Sequence, residues 1–171
     1  MTEVEWDFDE FYRAEFRGLV VLASAVLGQR AGAEDVAQEA MLDAFRRWDR
    51  VGGYEAPRAW VRKVVVQRGM KVSKKRSNER DAHLRAVAPV GAVPTASTAS
   101  IDPSLLVHLR ALPPQQRAAV ALHYLEDLSI KDIASLLEIA EGTVKAHLFK
   151  ARSSLTAAIG AEAHDDEEPV R

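Results

Sequence analysis

The chain of 171 residues contains no cysteine, and this absence excludes several kinds of chemistry. Without thiols it can form no disulfide bond, thiolate zinc site or thiol redox sensor. Long hydrophobic runs are also missing. The longest, residues 19–27, is interrupted by Ser24 and is far shorter than the roughly 20 residues that span a bilayer. No basic segment precedes it to form a secretion signal. The sequence therefore predicts a cytoplasmic protein without membrane insertion.

Recognisable catalytic arrangements are lacking as well. The sequence has no phosphate-binding glycine loop, no Ser-His-Asp order and no pair of histidines spaced four apart on one helix face. We therefore expect no enzymatic activity, no small-molecule substrate, no metal and no cofactor. The histidines lie in different segments, at His83, His108, His123, His147 and His164.

Positive and negative charges nearly cancel, giving a net charge of -2, but the two signs are strongly segregated along the chain. Residues 1–57 carry six Lys or Arg and twelve Asp or Glu, whereas residues 58–85 carry ten and two. Residues 86–171 carry seven and eleven. Because a local basic stripe attracts phosphates whatever the average charge, the near-neutral total does not argue against nucleic-acid binding.

A segment without any charge divides the chain. Residues 86–101 are rich in Ala, Val, Ser and Thr and are broken by Pro89, Gly91 and Pro94. They lack helical periodicity, so we predict a flexible linker over residues 81–104. The alternative is an ordinary surface loop, although a loop of this length is uncommon in a compact domain.

Three helices are predicted before the linker. The first covers about residues 7–27 and the second about residues 33–48, before the glycines at 52 and 53. The third begins near Pro57, a residue suited to a first helical turn. Apolar residues repeat at helical spacing along the third helix and form its core face: Val61, Val64, Val65 and Val72.

The outer faces of the second and third helices differ in charge. On the second, an acidic stripe at i, i+3, i+4, i+7 suits a protein interface: Asp35, Gln38, Glu39 and Leu42. The alternative is that Glu34 and Asp35 only favour the positive helix N-terminus. On the third, an aromatic is interleaved with cations, which favours single-stranded or distorted nucleic acid; core packing is the alternative for the aromatic. These residues are Trp60, Arg62, Lys63, Gln67, Arg68, Lys71, Lys74, Lys75 and Arg76.

After the linker, two apolar stripes predict a helix-turn-helix. The first consists of Ile130, Ile133, Ala134 and Leu137, and the second of Val144, Leu148, Ala151 and Leu155. Ser129 is a candidate cap for the first helix, with Asp132 three residues on, and Gly142 offers a permissive backbone at the turn. The outer face of the second helix can meet a major groove, unless it is simply a solvated face. Its residues are Thr143, Lys145, Ala146, His147, Lys150 and Arg152.

The acidic end of the chain, residues 159–171, shows no apolar periodicity and contains four consecutive carboxylates at 165–168. We expect a disordered tail. It serves either as a solubilising end or as a mask for the basic helix.

Four motifs together resemble one protein family. They are AEDVAQEA at residues 33–40, PRAWVRKV at 57–64, LPPQQR at 112–117 and GTVK at 142–145. Over about residues 8–156, in this order, the chain resembles the extracytoplasmic-function sigma factors of the sigma-70 family. The resemblance implies an all-α fold with two small helical domains joined by a flexible linker. The first is a three-helix domain like sigma region 2 (residues 1–80), and the second a helix-turn-helix domain like region 4 (residues 105–158).

The resemblance also implies a function. The stripe on the second helix would bind core RNA polymerase, the third helix would open and read the minus-10 element, and residues 143–152 would read the minus-35 element. An anti-sigma partner would be expected. Gln67, Ala146 and His147 depart from residues common in the family, so promoter sequence does not follow. The alternatives are a self-sufficient repressor, which would bind duplex DNA alone as a dimer, and an adaptor that binds only protein.

Overall fold

The computed structural model describes residues 7–82 and 101–165, which form an all-α fold. The predicted fold class is confirmed, and these two ranges contain no strand. The helices, in chain order, are α1 (Phe8–Leu27), α2 (Ala33–Arg46), α3 (Trp48–Val51), α4 (Pro57–Ala82), α5 (Pro103–Ala111), α6 (Pro114–Tyr124), α7 (Ile130–Leu137) and α8 (Glu141–Asp165).

Glycines in the left-handed region set the α1–α2 connection. Gly28 ends α1 with a φ of 67°, and its N–H donates to the carbonyl of Ala25. Gly32 precedes α2 with a φ of 82°. Glycine adopts such angles without the penalty that a Cβ would bring. The first helix therefore ends where the sequence predicts.

The second helix is shorter than predicted. It ends at Arg46, and a non-helical backbone at Arg47, with a φ of -123° and a ψ of 19°, separates it from the one-turn helix α3. This break turns the Trp48 ring onto α1, with its centroid 4.9 Å from that of Phe11 and 5.2 Å from that of Phe8. Aromatic pairs at this separation stabilise a fold beyond their buried area. Helix α2 therefore ends before Trp48, and the Trp48 indole packs against α1.

Helices α1, α2 and α4 pack on one another around an apolar core. In α4, Val61, Val65 and Val66 are fully buried, while Val64 and Val72 are partly buried against the same core. The predicted stripe thus lies on the buried side, and Val66 joins it. Gly69 allows a close approach, because a Cβ there would lie 2.9 Å from Cγ1 of Val26.

The C-terminal half consists of α5 to α8. Asp102 caps α5 by accepting a hydrogen bond from the Ser104 N–H at 2.7 Å, and Pro114 stands in the first turn of α6. Residues 83–100, most of the predicted linker, lie outside the described residues. The ends of the predicted linker are helical, since α4 continues to Ala82 and α5 begins at Pro103.

Part of the predicted disordered tail is helical. Helix α8 runs to Asp165, so residues 159–165 are helical, and 166–171 lie outside the described part of the chain. Alanine has the highest helix propensity, and residues 156–163 include four alanines, which explains the extension.

The two halves pack against each other in this structure. Helix α6 lies against α1 and α4. The buried Arg117, only 6% exposed, donates from Nη1 to the carbonyl of Leu27 at 2.6 Å. A cation at the C-terminal end of α1 also complements the helix dipole. A second bond runs from Nη2 of Arg30 to the carbonyl of Ile101 at 3.1 Å. The apolar core is consequently continuous from α1 to α8.

Candidate functional site

The acidic stripe on α2 is exposed and borders an apolar groove. Asp35, Gln38, Glu39 and Leu42 all lie at the surface, with Leu42 45% exposed. Together with apolar residues of α1 and α2 they line a groove of about 660 Å³. An apolar floor with a polar rim is typical of a protein docking surface. The other lining residues are Phe8, Asp9, Tyr12, Met41 and Phe45.

Phe45 belongs to this groove and was missed by the sequence reasoning. Its ring is 59% exposed and lies 5.0 Å from that of Phe8, centroid to centroid. The signal was available, because Phe45 follows Leu42 by three residues and so continues the outward stripe. Phe8 and Tyr12 of α1 also line the groove, but they do so because α1 packs beside α2. No pattern within a single helix predicts this.

Arg68 lies at the junction of the acidic and basic faces. Its Nη1 is 2.8 Å from Oε2 of Glu39, and its Nη2 donates to Asp43. The hydrogen bond to Asp43, followed by the negative charges of Asp43 and Glu39, raises the pKa of Arg68 above its ordinary value. Arg68 therefore joins α4 to α2, whereas the sequence predicted a contact to DNA.

The predicted nucleic-acid face of α4 divides into two groups in the structure. Gln67, Lys71, Lys74 and Lys75 are exposed, as a DNA contact requires. Trp60, Arg62, Lys63 and Arg76 are partly buried. The indole of Trp60 packs against the core, which supports the core-packing interpretation of this residue. Arg76 donates from Nη1 to the Ala31 carbonyl at 3.4 Å.

Arg62 and Lys63 are held by carboxylates of both halves. Arg62 places Nη2 3.0 Å from Oε2 of Glu15 in α1, and its Nε donates to Glu126 after α6. Lys63 lies 3.6 Å from Oε1 of Glu138 after α7. Both cations are therefore engaged within the chain in this arrangement.

The helix-turn-helix is built as predicted, apart from its turn. Ser129 caps α7 by accepting from the Asp132 N–H at 3.1 Å. The left-handed residue of the turn is Glu138, with a φ of 58°, and Gly142 lies inside α8. The expectation that Gly142 supplies the turn is therefore wrong. The C-cap of α7 already turns the chain four residues earlier, and the Val144 N–H donates to Ala140 in the first turn of α8.

The predicted reading face of α8 is largely exposed. Four of its residues lie at the surface: Thr143, Lys145, Ala146 and Lys150. The opposite side of α8 is buried in the core of the C-terminal half through Val144, Leu148 and Ala151. An exposed aromatic that we did not predict also lies on this face: Phe149 is 71% exposed. The sequence could have predicted this exposure, because Phe149 does not belong to the apolar stripe of the helix.

His147 and Arg152 lie at the margin of the same face. Burial, followed by the charge of Lys150, lowers the pKa of His147, so the imidazole is neutral at pH 7. Its Nε2 is buried without a hydrogen-bond partner among the described residues. Arg152 donates from Nε to the Tyr124 hydroxyl at 2.6 Å, with its guanidinium carbon 5.7 Å from the ring centroid. This contact ties α8 to the end of α6.

Clusters of metal-ligating side chains and membrane-spanning helices are both absent from the described ranges. No group of three or more His, Asp or Glu side chains in them could hold a metal ion. None of the helices described is long and apolar enough to cross a bilayer.

Two family models match the chain. The family model for sigma-70 region 2 matches residues 11–78, and that for sigma-70 region 4 matches residues 104–155. The chain belongs to the RNA polymerase sigma factors of the sigma-70 family, in the extracytoplasmic-function group. It is thus a non-enzymatic transcription initiation factor, and membership of this family decides against the repressor and adaptor alternatives.

Several curated relatives support the assignment. The chain is 32% identical over 155 residues to the sigma factor SigM of Mycobacterium tuberculosis, covering 90% of this chain and 77% of the relative. It is 33% identical over 139 residues to SigL of the same organism, covering 78% and 77%. The sigma-E factor of Streptomyces coelicolor is 26% identical over 150 residues, covering 87% of this chain and 84% of the relative.

A solved structure shares the fold. The sigma factor RpoE of Bartonella quintana, determined in complex with the anti-sigma factor NepR, superposes with a TM-score of 0.70 at 23% identity. The match covers 90% of this chain and 97% of that one.

Proposed function

We propose that this sigma factor uses three separate surfaces during transcription initiation. The groove beside Asp35, Gln38, Glu39 and Leu42 binds core RNA polymerase. The exposed part of α4 contacts the minus-10 element, and the outward face of α8 reads the minus-35 element. The observation that carries the proposal is the presence, in one chain, of an acid-rimmed apolar groove and two exposed basic helix faces.

The division of labour on α4 follows from exposure and charge. Gln67, Lys71, Lys74 and Lys75 are the members available for DNA without breaking a contact. Lysines neutralise phosphates, and an amide can hydrogen-bond a base edge. Arg68 serves mainly to hold α4 on α2, because its two carboxylate partners compete with any phosphate. Four other residues of α4 can contact DNA only after their present contacts within the protein change: Trp60, Arg62, Lys63 and Arg76.

On α8 we propose that Thr143, Lys145, Ala146 and Lys150 form the centre of the reading face, with Phe149 beside them. A phenyl ring can make apolar contact with a thymine methyl group, and alanine permits close approach to the bases. His147 and Arg152 flank this centre. As a neutral imidazole, His147 offers hydrogen bonding or packing to DNA instead of charge.

Domain organisation and regulation are part of the same proposal. Residues 1–80 form the polymerase and minus-10 unit, 105–158 the minus-35 unit, and 81–104 connect them, with an acidic tail from 159. The protein acts in the cytoplasm, where polymerase and promoters are located. The RpoE structure contains an anti-sigma factor, and we propose that an anti-sigma partner regulates this chain as well.

Run-off transcription with purified bacterial core polymerase and a genomic promoter library tests the function. We expect discrete 5′ ends that depend on both components and share upstream minus-35 and minus-10 sequences. Tight, specific duplex binding by the protein alone, without any transcript that depends on it, would refute the proposal.

A variant pair connects the function to its surfaces. Leu42→Asp places a charge in the groove, and should abolish transcription together with core binding. Leu105→Asp introduces the same change at a comparably exposed leucine on α5 and should leave core binding intact. Equal loss in both variants would show that the groove is not the polymerase surface.

A further inference from the structure

A polar cavity of about 350 Å³ lies apart from the polymerase groove and from the reading face of α8. It is bounded by the end of α1, the later turns of α4, the end of α5 and the beginning of α6. Arginines from three helices line it: Arg76 of α4, Arg110 of α5 and Arg117 of α6. None of the described residues that line it is Asp or Glu. Because a guanidinium stays protonated in proteins, the cavity holds three positive charges.

Two of these cations have no anionic partner nearby. In the part of the chain that the structure describes, no carboxylate oxygen lies within 4.0 Å of a nitrogen of Arg76 or Arg110. The bond from Arg76 to the Ala31 carbonyl is 3.4 Å long, beyond the ordinary range for such hydrogen bonds. Arg62 and Arg68, in contrast, each meet two carboxylates. Arg76 and Arg110 are therefore available to an anion from solution.

Arg117 supplies a fixed cation at the buried side of the cavity. It is held by the bond from its Nη1 to the Leu27 carbonyl. Arg110 borders the same place, because a Cβ on Gly28 would meet both Nη1 of Arg117 and the backbone of Arg110. A cation that is already positioned lowers the entropy cost of binding a ligand.

The polar groups around the arginines also suit an anion. The exposed Ser77 of α4 lines the cavity, and its hydroxyl can donate a hydrogen bond. Helix dipoles do not decide the preference, because α1 and α5 end at the cavity, whereas α6 begins there. The sign of the field is therefore set by the full charges of the three guanidiniums.

The size of the cavity and the chemistry of arginine narrow the class of ligand. A guanidinium pairs with a phosphate group through two parallel hydrogen bonds. The volume equals that of on the order of ten water molecules, which leaves room for two linked phosphate groups. It is also at the lower end of the range for small-molecule sites, so the ligand is compact.

From these observations we propose that the cavity binds a diphosphate, either inorganic pyrophosphate or the diphosphate group of a nucleotide. Arg76, Arg110 and Arg117 neutralise its charge, and Ser77 donates to it. The bound anion connects α4 with α5 and α6 and stabilises the fold. This site adds a small-molecule ligand to the three proposed surfaces, and its existence does not depend on their roles.

Isothermal titration calorimetry on the full chain, in buffer without divalent cations, tests the proposal. Pyrophosphate, ADP and sulfate are compared at matched ionic strength. R76Q/R110Q removes two charges from the cavity. K71Q/K74Q removes two charges from exposed positions of α4 that do not line it. This control also reveals any binding of the anions to the proposed DNA-contacting face.

We expect the wild type to bind pyrophosphate at least about tenfold more tightly than sulfate, since two linked phosphates engage more guanidiniums than one tetrahedral anion. R76Q/R110Q should lose roughly 100-fold in affinity, because each charge-assisted hydrogen bond contributes about tenfold or more. K71Q/K74Q should stay within about threefold of the wild type, as removal of distant surface charges implies. Binding of ADP as well as pyrophosphate would identify a nucleotide site, whereas binding of pyrophosphate alone would identify the inorganic anion.

Thermal unfolding gives a second readout. Pyrophosphate at about 100 times its Kd should raise the Tm of the wild type by roughly 5–10 °C through mass action. Without pyrophosphate, R76Q/R110Q should keep the Tm of the wild type. If it does not, the single variant R110Q replaces it, because that side chain is exposed, and should still lose about tenfold in affinity.

Three results would overturn the inference. The first is the absence of pyrophosphate binding at millimolar concentration. The second is equal affinity for sulfate and pyrophosphate, which would indicate general attraction of anions. The third is an equal loss of affinity in R76Q/R110Q and K71Q/K74Q, which would place the anion on the exposed lysines of α4.

Discussion

Gly28 provides a sharp test of whether the two halves pack together in solution as the structure has them. The residue ends α1 with a φ of 67°, and its Cα faces α5 and α6. A Cβ at this position would lie 2.7 Å from the Cα and 2.9 Å from the N of Arg110, and would also meet Nη1 of Arg117. The first two atoms are backbone, so α5 itself has to move to accept Gly28→Ala.

Two separate costs add up for Gly28→Ala. The left-handed backbone costs an alanine about 1 kcal/mol. Overpacking against the α5 backbone adds typically about 1–3 kcal/mol. The expected loss is therefore about 3 kcal/mol in the free energy of unfolding. At about 2–4 °C per kcal/mol for a chain of this size, Tm should fall by roughly 10 °C.

Thermal unfolding followed by circular dichroism measures this, with Gly18→Ala as the control. Gly18 lies within α1, and a Cβ there meets nothing within 4 Å, so the change should stabilise the helix by about 0.5–1 kcal/mol. If Gly28→Ala lowers the free energy of unfolding by only about 1 kcal/mol, the left-handed backbone alone accounts for the loss and overpacking against α5 contributes nothing. In that case α1 does not pack on α5 in solution, and the reasoning fails.

Three further predictions concern the proposed surfaces. Leu42→Ala should weaken binding to core polymerase several-fold while changing the free energy of unfolding by less than about 0.5 kcal/mol, because the side chain is half exposed; a large loss of Tm would show that it is structural. Lys74→Ala should weaken holoenzyme binding to all promoter sequences alike and reduce the salt dependence by about one phosphate contact, whereas Lys131→Ala on α7 should not; selective loss at one sequence would contradict a phosphate role. The lowered pKa of His147 means that the unfolded chain holds this proton more tightly, so stability falls as pH drops below about 6.5. The free energy of unfolding, measured by urea titration at pH 7.5 and at pH 5.5, should differ less between the two pH values for His147→Gln than for the wild type. An equal difference in the two proteins would show that the imidazole is not desolvated.

Local physical chemistry fixed much of this protein in advance. Helix periods, caps and breaks depend on residues within a turn of one another, so α1, the start of α4, the Ser129 cap and the two apolar stripes of the helix-turn-helix follow from the sequence. Exposed stripes on a helix are equally local. For this reason the outward positions of Asp35 and Leu42 on α2 and of Lys145 on α8 were also predictable. The family was predicted in a different way, from the resemblance of four sequence motifs to those of known members.

Tertiary structure alone decided how the long cations are used. Arg62 and Arg68 lie on the basic helix expected to meet DNA, yet each bonds two carboxylates, because a flexible guanidinium reaches whichever acids packing brings near. Those acids are distant in sequence, as with Glu126 for Arg62, and no periodicity relates them. The same holds for the close approach of Gly28 to α5. These features arise where separate helices meet, and a spacing rule within one helix carries no information about the neighbour it will contact.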